Sequence, residues 1–189
     1  AVMGVYPADH LIVGDSKFKK IIINARKMVE KKSALITIGI KPTYPATGYG
    51  YIQYDSNKKM EIQGIYKVKT FAEKPEKKTA ENFVSSDEFL WNAGMFVWKA
   101  ETILLQIKTF MCELHDSLNA IHDSLSTTQY DAVLDREWEL IQPESIDYGV
   151  LEKAKNVYTI EADYKWNDLG SWYSLFTVLT NNNKTNYHD

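Results

Sequence analysis

Val157-Tyr-Thr-Ile-Glu-Ala162, followed by Asp-Tyr-Lys-Trp-Asn-Asp168-Leu-Gly-Ser-Trp172, decides the reading of this chain. An apolar, β-branched run leads to one carboxylate, Asp168, and then to Gly170 and Ser171, from which a last helix starts and runs to about Leu179. A carboxylate at a strand-to-helix turn is well placed to hold Mg²⁺ against phosphate oxygens. At the other end, Tyr6-Pro-Ala-Asp9-His-Leu-Ile12 places a second acid just past Val2–Tyr6, which reads as a buried strand. Asp9 and Asp168 are therefore expected to converge at the carboxyl edge of one sheet, where α/β proteins bind ligands.

Working outward, strands and helices alternate. A helix capped by Asp15 or Ser16 runs to about Lys32, with Phe18, Ile21, Ile22, Ala25, Met28 and Val29 on its apolar face. Ala34–Ile40 reads as a buried strand, and Lys41–Gly50, with two prolines and two glycines, as a loop. Tyr51–Asp55 and Met60–Ile65 read as a hairpin across Ser56–Lys59, continued by Tyr66–Ala72. Pro75 opens a helix over Lys77–Val84, and Phe89–Trp98 is a central strand. Glu101–Phe110, Cys112–Leu125 and Asp131–Leu140 are expected helices. The second repeats His-Asp-Ser-Leu at 115–118 and 122–125, which predicts that Leu114, Leu118, Ile121 and Leu125 are buried. The two histidines stand about 10 Å apart on such a helix, too far to share a metal. Ser145–Lys153 starts a further helix, capped by Ser145 or Asp147.

The 189 residues suit one domain, here 1–189, and 44% hydrophobic with 25% charged residues is an ordinary globular composition. A net charge of −3 gives no nucleic-acid surface and no polybasic membrane patch; the lysines of 17–32 share their helix with Asp15 and Glu30. No apolar run is long enough to span a membrane, and the first residues carry no leader pattern. The single Cys112 excludes an internal disulfide and fits a reducing cytoplasm. The chain opens inside a core-like strand and ends in the polar Asn181–Asn186, the expectation being a piece of a longer protein.

Three other short motifs carry chemistry. Thr47-Gly48-Tyr-Gly50 can bring backbone N–H groups to a ligand, or is simply a turn before Tyr51. Glu73-Lys74-Pro75 lets a lysine meet a phosphate and a glutamate accept from sugar hydroxyls, or is a surface ion pair before a helix. Asn92, in Trp91-Asn-Ala-Gly94, needs partners from backbone or ligand. The alternative for Asp9 is a turn acid capping a helix, and for Asp168 an N-cap to the last helix, a role that does not exclude holding a metal.

Taken in order, Tyr6–Ile12, Ile38–Ile52, Phe71–Pro75, Leu90–Phe96, Ser145–Lys153 and Trp166–Trp172 make the chain resemble the mannose-1-phosphate guanylyltransferases, or GDP-mannose pyrophosphorylases, of the sugar-nucleotidyltransferase superfamily. The resemblance covers almost the whole chain. It implies an α/β fold, a Rossmann-like mixed, mostly parallel sheet flanked by helices. It also implies a reaction of GTP with mannose 1-phosphate to give GDP-mannose and pyrophosphate. Carried over, Asp9 and Asp168 hold a catalytic Mg²⁺ cofactor, Lys74 meets the sugar phosphate, and Glu73, Asn92 and the backbone of Gly48 hold the hexose. Family members open with a Gly-rich nucleotide loop that this sequence does not contain, and position 46 is Ala where the family usually has Glu. The triphosphate half of the site, and with it base choice, is thus expected outside these residues, leaving them inactive alone. Strands missing with that loop would leave an open edge, which predicts a homo-oligomer. The alternatives are a related nucleotidyltransferase for another sugar 1-phosphate or nucleotide, and a non-catalytic sugar-phosphate-binding subunit.

Overall fold

The structure, a computed structural model, describes residues 1–62 and 64–180. The Asn-rich tail singled out above lies outside the described residues. Six strands form the main sheet: β1 (Val2–Val5), β3 (Leu35–Ile40), β4 (Tyr51–Lys59), β5 (Ile65–Ala72), β6 (Phe89–Lys99) and β7 (Val157–Ala162). Their order is β1-β6-β3-β7-β5-β4, and β4 also pairs with β6, so five of the strands form a closed ring of pairings. A second, two-stranded sheet joins β2 (Leu11–Val13) to β8 (Lys165–Asn167).

The mixed α/β class holds, with a correction to the strand pairing. β1, β3, β4 and β7 share one direction, and β5 and β6 oppose them. Because the two reversed strands are interleaved among the others, β3–β7 is the one parallel pair of this sheet among the described residues, and its other pairings there are antiparallel. A hairpin joins β4 to β5, and β6 returns between β1 and β3.

All six residues of β3 are buried, as a continuous apolar run predicts for a strand covered on both faces. Ile36, Ile38 and Ile40 pack into one core with Ile21, Ala25, Met28 and Val29 of α1 (Asp15–Lys31), while Leu35 joins a second with Trp98, Ile103 and Val150. α2 (Lys77–Ser86), α3 (Ala100–Phe110), α4 (Cys112–Ser124), α5 (Tyr130–Leu140) and α6 (Trp172–Thr180) complete the helices, and Asp147–Leu151 forms a single π-helical turn. No described helix is long and apolar enough to cross a membrane.

Four local expectations are corrected, and two short strands are added. β1 is exposed along its length, Val5 to 39%, because it is the edge strand, paired with β6 on one side. α1 starts at Gly14 without a side-chain cap, and Asp15 sits in its first turn, where its charge complements the helix dipole. β4 continues to Lys59 and the chain reverses at Gly64, whose φ of 84° suits a turn better than Ser56–Lys59 does. α4 buries Ser117 and Ser124 and exposes Leu118 and Leu125, one position off the expected stripe, because small side chains face its neighbouring helices. β2 and β8, three residues each, were too short to read as strands from their pattern.

Candidate functional site

A cleft of about 260 Å³ opens where the carboxyl ends of β1 and β7 lead into the small sheet. One wall comes from the large sheet and the π-helical turn and carries Glu73, Lys74, Asn92 and Asp147; the other carries His10, Trp166 and Asp168, with the Gly48–Gly50 loop between.

The first wall is an interlocked polar network. The register between β3 and β6 shifts between Thr37 and Gly39, giving β6 a bulge that contains Gly94 at φ 64°. That bulge aims Asn92 at the cleft. Its Oδ1 accepts from the fully buried Thr37 hydroxyl at 2.8 Å and from Gly94 N–H at 3.2 Å. Its Nδ2 donates to Asp147 Oδ1 at 3.0 Å. Protein groups thus satisfy much of the amide that the sequence left open between backbone and ligand.

Glu73 and Lys74 follow β5 directly. Lys74 adopts the left-handed conformation at φ 45°, strain that a non-glycine residue keeps where its surroundings hold it. It pairs with Glu73 at 3.6 Å, yet the lysine side chain is 62% exposed and the glutamate 12%. Burial raises the Glu73 carboxyl above its ordinary range, the nearby Asp147 charge adds to this, and Lys74 opposes it. Burial likewise raises Asp147, against the Asn92 hydrogen bond and Lys74. A Cβ on Gly50 would come within 2.3 Å of Glu73 Oε2, so glycine there admits the carboxylate. At Gly48 a Cβ would meet nothing within 4 Å, so its backbone faces open space.

On the second wall, β2 and β8 pair with Leu11 opposite Asn167, which carries the chain on each side toward Asp9 and Asp168 at the same end of the ladder. Asp168 Oδ1 accepts from Tyr49 O–H at 2.9 Å and from Gly170 N–H at 3.1 Å. Leu169, at φ 50°, turns the backbone so that its N–H meets Asn167 Oδ1 at 2.7 Å. Ser171 Oγ, not Asp168, caps α6, accepting from Ser174 N–H at 3.0 Å. Tyr49 packs edge-on against Trp91 and Trp166, and its hydroxyl is pushed up by burial, by Tyr44 and by Asp168. Trp166 Nε1 donates to His10 Nδ1 at 3.2 Å. Asp9 is exposed in the bend before β2, between Pro7 and His10, which line the cleft, and it caps no helix.

Gly48, Glu73, Lys74, Asn92 and Asp168 line one cleft, and Asp9 adjoins it. Sequence reading missed Asp147, taken as a helix cap, and Tyr49, taken as part of a turn. The N-cap position of that turn is Ile146, and Ser145 Oγ, just before it, accepts from Tyr148 N–H at 3.4 Å. Among the described residues no group of three or more His, Cys, Asp and Glu side chains could hold a metal by itself. Asp9 and Asp168, the two acids expected from the sequence, are hard oxygen donors, the ligand type of which Mg²⁺ at phosphate sites takes one or two, with phosphate and water filling the rest.

Residues 1–185 match the family described as Nucleotidyl transferase. A mannose-1-phosphate guanylyltransferase of Escherichia coli is 35% identical over 184 residues, which are 94% of this chain and 38% of that protein. The xanthan biosynthesis protein XanB of Xanthomonas campestris pv. campestris (strain B100) is 34% identical over 185 residues, 97% of this chain and 38% of its own length. The chain thus spans little more than a third of these relatives. Among solved structures, one described as a mannose-1-phosphate geranyltransferase from Thermus thermophilus superposes with a TM-score of 0.79 at 25% identity, covering 94% of this chain and 49% of the other. One described as a mannose-6-phosphate isomerase from Helicobacter pylori gives 0.75 at 26% identity, covering 88% and 63%.

Proposed function

The chain belongs to the nucleotidyl transferase family, and we propose that residues 1–189 supply the sugar-phosphate and metal half of a site that makes GDP-mannose and pyrophosphate from GTP and mannose 1-phosphate. One observation carries this reading: Gly48, Glu73, Lys74, Asn92 and Asp168, up to 120 positions apart (168 − 48), line a single cleft. The names of the relatives, mannose-1-phosphate guanylyltransferase and xanthan biosynthesis protein, support the substrate assignment.

In the proposed reaction a phosphate oxygen of mannose 1-phosphate attacks the α-phosphorus of GTP. The new O–P bond forms as the bond from the α-phosphorus to the bridging oxygen breaks, and pyrophosphate leaves with that electron pair. Such a transfer depends on positioning and charge neutralisation more than on a protein nucleophile. Lys74, exposed at the cleft, meets the sugar phosphate as a point charge. Glu73 accepts from hexose hydroxyls, and the open backbone at Gly48 admits the ring. Asp9 and Asp168 would hold Mg²⁺, which when bound supplies charge neutralisation on phosphate oxygens. Tyr49 orients the Asp168 carboxylate.

Titration calorimetry on the natural full-length protein tests this reading. Mannose 1-phosphate should bind in the presence of Mg²⁺, and adding GTP should yield GDP-mannose and pyrophosphate in equal amounts. No binding of mannose 1-phosphate, or turnover with another sugar phosphate alone, would contradict it.

A further inference from the structure

Asp147 has no role in the scheme above, yet its carboxylate stands on the cleft beside Glu73, Lys74 and Asn92. Its orientation follows from its partners. Gly94 N–H can only donate, so it must face Asn92 Oδ1, and Asn92 Nδ2 then points at Asp147 Oδ1, 3.0 Å away. A carboxylate offers about four acceptor sites, so the Asn92 amide and the residue's own backbone N–H leave Asp147 with capacity to spare. The Asp147 charge acts on Glu73, and the Lys74 charge acts on both carboxylates. The cleft therefore sets two acceptor-only groups around one ammonium.

A bare phosphate suits half of this arrangement: Lys74 attracts it, and two carboxylates repel it. A ligand that fits the whole must bring an anion for Lys74 and hydroxyl donors for Glu73 and Asp147. A phosphorylated pyranose has that division. We propose that Asp147 is a substrate-binding residue that determines specificity, a second acceptor for ring hydroxyls beside Glu73, held in place by Asn92. The inference rests on the sugar-phosphate reading of the cleft and adds to it the residue that separates sugar phosphates from simpler phosphate esters.

The test compares two probes, mannose 1-phosphate and methyl phosphate, in calorimetric titrations of the natural full-length protein and its Asp147→Asn and Asp147→Ala variants. Asp147→Asn keeps an acceptor for Asn92, so it preserves the network while removing the charge. Both variants should weaken mannose 1-phosphate binding about tenfold or more, the size expected for a hydrogen bond to a charged group. Methyl phosphate affinity should hold or rise, since one repelling charge is gone. Unchanged mannose 1-phosphate affinity, or an equal loss for both probes, would overturn the role of Asp147 and leave the sugar-phosphate site standing. A wild-type protein that fails to prefer mannose 1-phosphate over methyl phosphate would overturn both.

Discussion

Asn92 and Asp168 face each other across the cleft under opposite conditions. Asn92 is tied to Thr37, Gly94 and Asp147 by three hydrogen bonds that reach a fully buried strand. The hydrogen bonds that Asp168 accepts from Tyr49 and Gly170 both fall on Oδ1, and its neighbour in the proposed pair, Asp9, is exposed. The first wall is preorganised by groups that satisfy one another, as a site for neutral hydroxyls requires. The second keeps acceptor capacity for a charged partner. Under the proposed function, binding a sugar phosphate and binding a metal place different demands on neighbouring residues, and the two walls would divide them.

If this contrast is right, damage to the second wall costs chemistry and damage to the first costs affinity or stability. The largest effect is expected from Asp168→Ala in the full-length protein. It should lower kcat by about 10²–10³, the usual cost of removing a group that stabilises developing charge, while the melting temperature stays close to wild type. A steady-state assay with a parallel melt checks it; loss of folding with activity would place Asp168 among the structural residues. Lys74→Ala should reduce kcat/KM for mannose 1-phosphate about ten- to a hundredfold, from a charge-assisted contact of about 1.5–3 kcal/mol, with GTP affinity little changed. An unchanged kcat/KM would make Lys74 a surface partner of Glu73 and nothing more.

Asn92→Ala tests the first wall directly. It strands the buried Thr37 hydroxyl and the Gly94 N–H, at a cost of about 1–3 kcal/mol, or roughly 2–10 °C in melting temperature for a chain of this size. A melt within about 1 °C of wild type would show the network to be slack. The smallest effect concerns pH. Glu73 has its carboxyl raised in the folded state, so folding favours the protonated form. That contribution is fully present below the unfolded carboxylate range and lost as pH rises through the folded value. Glu73→Gln should therefore be more stable than wild type at neutral pH, with the gap closing on acidification. A gap that widens toward acid would reverse the assignment.

Much of this was legible in the residues. The apolar face of α1, the doubly covered β3 and the long β6 announce themselves by period and length, because burial acts on many side chains at once. Glu73, Lys74 and Asp168 were found as residue types in turns after strands, and Asn92 as a polar residue in an apolar strand. Asp147 and Tyr49 were not, because each takes its meaning from a partner far along the chain: Asn92 for one, Asp168 and two tryptophans for the other. The β2–β8 ladder escaped for the same reason: three residues carry no period, and its strands find each other across more than 150 positions. The reversed strands β5 and β6 were hidden too, since direction is a property of the sheet and leaves no local mark.

The central claim is that Asp9 and Asp168 together form the metal side of a sugar-phosphate cleft. Electron paramagnetic resonance titration of Mn²⁺ into the full-length protein, with mannose 1-phosphate present, tests it most directly. The expected result is a bound ion in the wild type whose affinity falls about tenfold or more in both Asp9→Asn and Asp168→Asn, as loss of one charged ligand from a carboxylate site implies. Equal Mn²⁺ affinity in wild type and both variants would contradict it.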